Sequence, residues 1–278
     1  MITKQSAIQT IFVFTTNFLP PMRKSQLFLL AFLLVSAPLL AQRSSENPPA
    51  TGFDLVGSDP AALKLADQAM KAMGGRKAWD KTHIIAWTFF GNRHLIWDKW
   101  TGNVRIDNLK SDQTVILNVN NDQGKVFRNG KEETDKDSVA KYVKSAKGAW
   151  INDSYWLVMP FKLKDSGVTL KYIGEEPTQD NKVAEVIQLT FKSVGNTPDN
   201  KYKVWVDKES HLVSQWAYYP KFSDEKPGFT LPWTDYMKHG EILLSGKRGP
   251  RELTDIRVFT GLPGEVFTSF DRPDLSRY

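Results

Sequence analysis

His83-Ile84-Ile85-Ala86-Trp87-Thr88-Phe89-Phe90, then Gly91-Asn92, then Arg93-His94-Leu95-Ile96-Trp97-Asp98-Lys99-Trp100, are two β-branched and aromatic runs joined by a two-residue turn signal. Alternate side chains share a strand face, which groups Trp87 with Phe89 and Leu95 with Trp97. The pattern continues downstream. Val104–Leu109, Thr114–Val119 and Lys125–Arg128 read as further strands, with Thr101-Gly102-Asn103, Asn121 to Gly124 and Asn129-Gly130 as turns. Strands resume at Val168–Ile173, Val183–Lys192, Lys201–Asp207, Leu212–Tyr219, Tyr236–Leu244 and Arg251–Phe259. Ile187 and Leu189 share one face there, and Trp216 and Tyr218 another. About eleven strands with tight turns, no βαβ alternation and no fixed repeat predict an antiparallel meander. A sheet that long twists too strongly to stay flat. The expected fold is mainly β with a few helices (α+β): one curled antiparallel sheet forming an unclosed half β-barrel, with helical lid segments.

Helical spacing occurs in two regions. Asp59 can cap and Pro60 suits the first position of a helix whose stripe is Ala62, Leu65, Ala66, Ala69, Met70 and Met73, ended by Gly74-Gly75. A short turn passes through Trp79. A second helix spans about Asp137 to Lys147, with Val139, Val143 and Ala146 on its apolar stripe and Lys141, Lys144 and Lys147 on other faces. A separate short helix then runs from Trp150 into Pro160. Residues 42–57 are polar with Pro and Ser, a flexible leader before a single domain at 58–278.

The first 41 residues read as targeting. Arg23-Lys24, the apolar run Leu27 to Val35 and the small-residue end at Ala41 compose a secretory signal peptide. The uninterrupted run is shorter than the roughly 20 apolar residues a bilayer span needs. Residues 1–21 sit upstream of Met22 and suggest that the true start is Met22. Removing residues 1–41 takes away three of the 37 Lys and Arg and none of the 31 acids, leaving a net charge of +3. Basic and acidic residues alternate, as in Lys131 to Asp137, which is the pattern of a solvated face rather than of nucleic-acid binding.

The 278 residues contain no cysteine, which excludes disulfide staples, thiolate metal sites, cysteine nucleophiles and a lipid-modified N-terminal cysteine. His83, His94, His211 and His239 have no metal-ligand spacing, so neither a metal nor a cofactor is expected. Asn118 to Gly124 faintly suggests a calcium loop, but its glycine is misplaced and the closing glutamate is missing, so it reads as a hairpin turn. Glu185 stands alone inside an otherwise apolar strand face; it either faces a cavity or reaches solvent at the strand end. Nine Trp, eight Tyr and sixteen Phe supply large apolar side chains that either fill a core or line a pocket.

The stretch Trp150 to Leu163, W-I-N-D-S-Y-W-L-V-M-P-F-K-L, with Asp165-Ser166-Gly167-Val168 behind it, is distinctive, as is Tyr202 to Val213, Y-K-V-W-V-D-K-E-S-H-L-V. With Gly74-Gly75 and Trp79, these motifs resemble an exported bacterial family of unknown function. That family is similar, more distantly, to the lipoprotein-carrier superfamily of LolA, LolB and LppX-like proteins, over roughly residues 60–270. The resemblance implies an open barrel plugged by helices at 62–73 and 137–161, with an apolar groove for acyl chains faced by Trp156, Leu157 and Met159. Two features depart from it: without cysteine the chain cannot be a LolB-like anchored acceptor, and no motif matches the soluble carrier's inward arginine.

The expected function is a soluble, exported periplasmic protein that holds a lipid or acyl-bearing ligand, with transient membrane-surface contact through the lysine-bearing helix and no nucleic-acid partner. The expected ligand-binding residues are Trp87, Phe89, Leu95, Trp97, Trp156, Met159, Ile187, Leu189, Trp216 and Tyr218. Two alternatives stand beside it: a cell-envelope scaffold with a packed interior, and a hydrolase using Glu185.

Overall fold

The computed structural model describes residues 46–192 and 199–278; the expected signal peptide, residues 1–41, lies outside them. Residues 46–278 cluster as one compact unit. Every residue of β1 (Ile84–Phe89) is buried. Ile85, Trp87 and Phe89 face the main core, while Ile84 and Ala86 pack with Ile96, Phe259 and Val266 on the opposite side. A strand covered on both faces has no reason to alternate polar and apolar residues, which explains the near-continuous run Ile84 to Trp87.

Two antiparallel sheets are present among the described residues, not one. In the first, β1 lies between β14 (Arg251–Phe259) and β2 (Arg93–Asp98). The sheet continues from β2 through β3 (Asn103–Asn108), β4 (Thr114–Asn118), β5 (Gln123–Arg128) and β6 (Lys131–Glu132). Beyond β14 it ends in β13 (Ile242–Arg248) and β12 (Thr234–His239). The second sheet runs β11 (Phe229–Pro232), β10 (Val213–Tyr219), β9 (Lys201–Asp207), β8 (Val183–Phe191), β7 (Val168–Pro177). Neither closes on itself or curls strongly, so the expected half β-barrel is not formed; dividing the strands between two sheets relieves the twist that one long sheet would accumulate.

The expected eleven strands become fourteen for three local reasons. The run Tyr236–Leu244 is a hairpin rather than one strand, because Gly240 takes a positive φ of 61° and turns the chain. The Asn129-Gly130 turn carries a short return strand, β6, and Phe229–Pro232 pairs with β10 as β11. The Asn118–Gln123 connection is a hairpin turn, as its composition suggested.

Three α-helices of the described residues pack on these sheets. Helix α1 (Pro60–Ala72) has Pro60 in its first turn and buries Ala62, Leu65, Ala66, Ala69 and Met70. Asp59 does not cap it. Its carboxylate instead accepts from the Tyr172 backbone N–H and from Lys171, both at 3.0 Å. Gly74 has φ of 112° and opens α2 (Gly75–Lys81), so Trp79 lies in a helix rather than a turn. A Cβ on Gly74 would overlap the Glu241 carbonyl oxygen, so only glycine lets this corner meet the β12–β13 turn.

The two helices expected at 137–147 and 150–160 are one, α3 (Lys136–Val158), entered by an Asp135 carboxylate that accepts from Ser138 N at 2.9 Å. Gly148 was the only local breaker, and one glycine costs a long helix only about 1 kcal/mol. A 3-10 turn, Met159–Lys162, ends it at Pro160.

Residues 46–57, expected as a flexible leader, are tied to the rest of the unit instead. Ala50 N donates to Lys164 O, Asp54 N to Val168 O and Asp59 N to Leu170 O at 2.9–3.0 Å, and Leu170 N donates to Ser58 Oγ at 3.0 Å. These bonds cover β7, the outer strand of the second sheet, whose edge would otherwise show unpaired backbone groups. At the other end of the chain, Arg105 is fully buried, pairs with Asp107 at 2.8 Å and donates to the carbonyls of Val266, Ser269 and Phe270. That clamps the C-terminal segment over the outer face of β1 and β2. No helix of the described residues is long and apolar enough to cross a membrane.

Candidate functional site

Both sheets, α1 and α3 share one apolar core. Its centre is aromatic. Trp216 on β10 meets Trp156 of α3 edge-on at 4.8 Å, stacks parallel to Tyr202 at 5.4 Å and touches Phe229 at 5.4 Å and Trp233 at 5.2 Å. Of the residues expected to line a groove, Trp87, Phe89, Leu95, Trp156, Met159, Ile187, Leu189 and Trp216 lie in this core, all buried. Trp97 is half-buried against the same core, and Tyr218 is half-buried, stacked on Phe229 at 5.2 Å. The structure places most of the set in one core, where Trp156 meets both Phe89 and Trp216 edge-on.

Two ties hold α3 down on the sheets. Arg93 of β2 forms a bidentate pair with Asp153 of α3, at 2.7 and 2.9 Å. Asp153 is fully buried, and that burial raises its carboxyl above the usual carboxylate range despite the guanidinium. Arg248 of β13 is also fully buried; it donates to the Trp156 carbonyl at 2.7 Å and lies over the Trp233 ring at 3.4 Å. Its other contacts are the Ser245 hydroxyl and the Ser245 and Lys247 carbonyls. Burial draws its pKa down and Tyr236 acts the other way, while the Trp156 carbonyl near the C-terminal end of α3 takes one of its N–H groups.

Beside these ties an apolar cleft of about 330 Å³ opens between α3 and the sheets. Trp97, Trp150, Ile151, Tyr155, Val168 and Phe191 form its walls, with Lys162, Asp165 and Ser166 also lining it. Trp97 and Trp150 meet edge-on at 5.3 Å, and Tyr155 meets Phe191 at 6.5 Å. A larger depression of about 580 Å³ has a mixed lining, with Leu212, Val213, Pro232, Trp233 and Tyr236 beside Thr178, Asp180, Asp207, Ser210 and Asp235. Of the expected site residues, only Trp97 lines the 330 Å³ cleft. Trp150, Ile151, Ser154 and Tyr155 do so because they recur at i, i+1, i+4 and i+5 of a continuous helix. Reading two helices, 137–147 and 150–160, in place of one hid that stripe.

Two polar atoms of the cleft residues lack partners among the described residues. The Trp150 indole N–H and the Tyr155 hydroxyl are shielded from solvent and make no hydrogen bond. Burial, with Tyr202 and Asp165 nearby, lifts the Tyr155 hydroxyl well above its ordinary pKa, so it stays a protonated donor. Elsewhere, Glu185 sits half-exposed near its strand end and accepts from the Tyr172 hydroxyl at 3.3 Å. Among the described residues, no group of three His, Cys, Asp or Glu could hold a metal ion.

The chain is structurally similar to two solved proteins. One is a DUF1329 family protein from Desulfovibrio piger, with a TM-score of 0.41 and 13% identity over 76% of this chain and 98% of that one. The other is the LolA superfamily protein NE2245 from Nitrosomonas europaea, with a TM-score of 0.37 and 10% identity over 75% of this chain and 97% of that one. No family model matches the sequence. No curated protein matches it either.

Proposed function

We propose that this chain is an exported, periplasmic binding protein that holds the hydrophobic part of a lipid or acyl-bearing ligand between α3 and the sheets. The observation that carries the reading is the apolar cleft under Trp97 and Trp150, about 330 Å³ in volume and open to solvent near Lys162 and Asp165. Small-ligand sites span ~300–1,000 Å³. On the order of six methylenes buried there contribute about 5 kcal/mol at ~0.8 kcal/mol each, enough for weak binding after ordering is paid for. Trp97 is the mouth of this site. None of the other expected residues lines this cleft. Lys136, Lys141 and Lys144 are exposed on α3 and are placed to meet anionic headgroups during exchange.

A second reading, a cell-envelope interaction protein with a packed interior, is favoured by the ring contacts of Trp216 with Trp156 and Tyr202. Native mass spectrometry of the protein purified gently from its own envelope separates the two. A co-purifying species of discrete mass, lost in a folded Trp97→Glu variant, supports the binding protein. A clean apo mass that added acyl ligands do not shift refutes it and leaves the second reading.

A further inference from the structure

Trp100, in the turn between β2 and β3, is 61% exposed, yet its ring is fixed in place. It stacks on His83 at 3.9 Å, its indole N–H donates to the Asp80 carbonyl at 3.1 Å, and its backbone N–H donates to the Asp98 carboxylate at 2.9 Å. His83 is held in turn: its Nδ1 lies 2.8 Å from the Thr260 carbonyl oxygen and its Nε2 3.1 Å from the Asp98 carboxylate. We propose that Trp100 is the platform of a second binding site, separate from the cleft under α3, which packs a pyranose ring of an uncharged glycan against the open surface of the indole.

A single exposed aromatic side chain signifies little by itself. What sets Trp100 apart is its order. Holding a large side chain still at the surface costs rotamer entropy, and a ring already held spares an incoming ligand that cost. The ring lines an open depression of about 580 Å³ beside α2. His83 is not part of that lining, so Trp100 meets the depression with surface that His83 leaves uncovered.

The rim decides the class of ligand. Arg76, Lys77 and Lys81 supply donors and Glu46 and Asp80 supply acceptors around the same ring. Arg76 pairs with Asp80 at 2.7 Å and donates to the Pro48 carbonyl at 3.2 Å, which fixes part of that rim. With both signs interleaved, a strongly charged ligand meets a like charge wherever it lies. A hydroxyl both donates and accepts, so it uses both kinds of neighbour. A pyranose carries hydroxyls around its edge and C–H groups on its faces, and the C–H face packs on the indole while the edge meets the rim. The same mixture disfavours an anionic bilayer, which is attracted by clusters of unopposed Lys and Arg.

The test titrates the purified protein with cellotriose, triacetylchitotriose and maltotriose and follows saturation-transfer difference NMR. Dissociation constants on the order of 1 mM are expected for at least one of them, with transfer strongest to the C–H protons of one sugar face. Trp100→Ala, checked for folding by circular dichroism, should weaken binding about tenfold or more. Trp100→Phe keeps a smaller ring without the Asp80 bond and should fall between the two. His83→Ala leaves the indole but frees it, so binding should weaken about threefold and the transfer should spread to both sugar faces. No transfer to any of the three at ~10 mM overturns the site. Binding that Trp100→Ala and Trp100→Phe leave unchanged overturns the platform. Cosedimentation with phosphatidylglycerol vesicles that depends on Trp100, without binding of the sugars, overturns the glycan and makes this face a membrane contact.

Discussion

Truncating Trp216 to alanine asks directly whether the aromatic interior is a filled core or an open groove. Its indole is 1% exposed and touches Trp156, Tyr202, Phe229 and Trp233 at 4.8–5.4 Å. An aromatic side chain of this size buries ~150–250 Å², worth about 4–6 kcal/mol at ~25 cal/mol per Å². Against that, the Trp216 indole N–H has no partner among the described residues, so removing it relieves about 1 kcal/mol. The expected loss is about 3–5 kcal/mol, matching large-to-small substitutions that leave a cavity. In a domain stabilised by ~5–15 kcal/mol this is a large fraction, so urea unfolding followed by far-ultraviolet circular dichroism reads it without relying on tryptophan emission. Added indole should bind the cavity and restore part of the melting temperature. A loss below about 1 kcal/mol, with no response to indole, means the side chain faces open space and refutes the packed interior.

Three further outcomes follow from single contacts. Gly74→Ala forces a Cβ onto the Glu241 carbonyl at a positive φ; a loss of about 2–4 kcal/mol in urea unfolding is expected, and a neutral result shows that the α1–α2 corner can yield. Asp153→Ala leaves Arg93 without its bidentate partner; hydrogen exchange in α3 should accelerate well beyond that in β2, and equal acceleration in both contradicts a local tie. Lys99 donates to the carbonyls of Trp79 and Thr82, and burial lowers its pKa to about 8. With the folded pKa depressed below the unfolded value, the unfolded chain binds more protons between the two, so stability rises with pH above about 8. The wild type minus Lys99→Met difference should grow by on the order of 1 kcal/mol from pH 8 to 9.5, and a flat difference refutes the shift.

The strand grammar of this chain was local, and so it was legible. β-branched and aromatic runs separated by Gly-Asn, Asn-Gly and Asp-rich turns placed β1 to β5 within one or two residues of their bounds. The cost of positive φ makes such turns a property of short sequence. The reading failed at two places: α3 runs through Gly148 where two helices were expected, whereas Gly240 turns a hairpin inside a run expected as one strand. Composition cannot separate them, because what keeps α3 continuous is its burial against the sheets, through Val143, Ala146 and Trp156.

The sequence by itself determined the class: an antiparallel, mainly β chain without thiols, with its large aromatics gathered on shared strand faces. Tertiary structure decided how those faces meet. Whether a meander continues as one sheet or divides into two depends on hydrogen bonds between strands far apart in the chain, such as those joining β1 to β14. Whether Trp156 and Trp216 line a groove or fill it depends on a distance of a few ångströms between a helix and a sheet. The cleft beside Trp97 exists because α3 carries Trp150 and Tyr155 over strands of both sheets, from Trp97 on β2 to Phe191 on β8. Packing is a long-range outcome of volume and shape, and no local pattern encodes it.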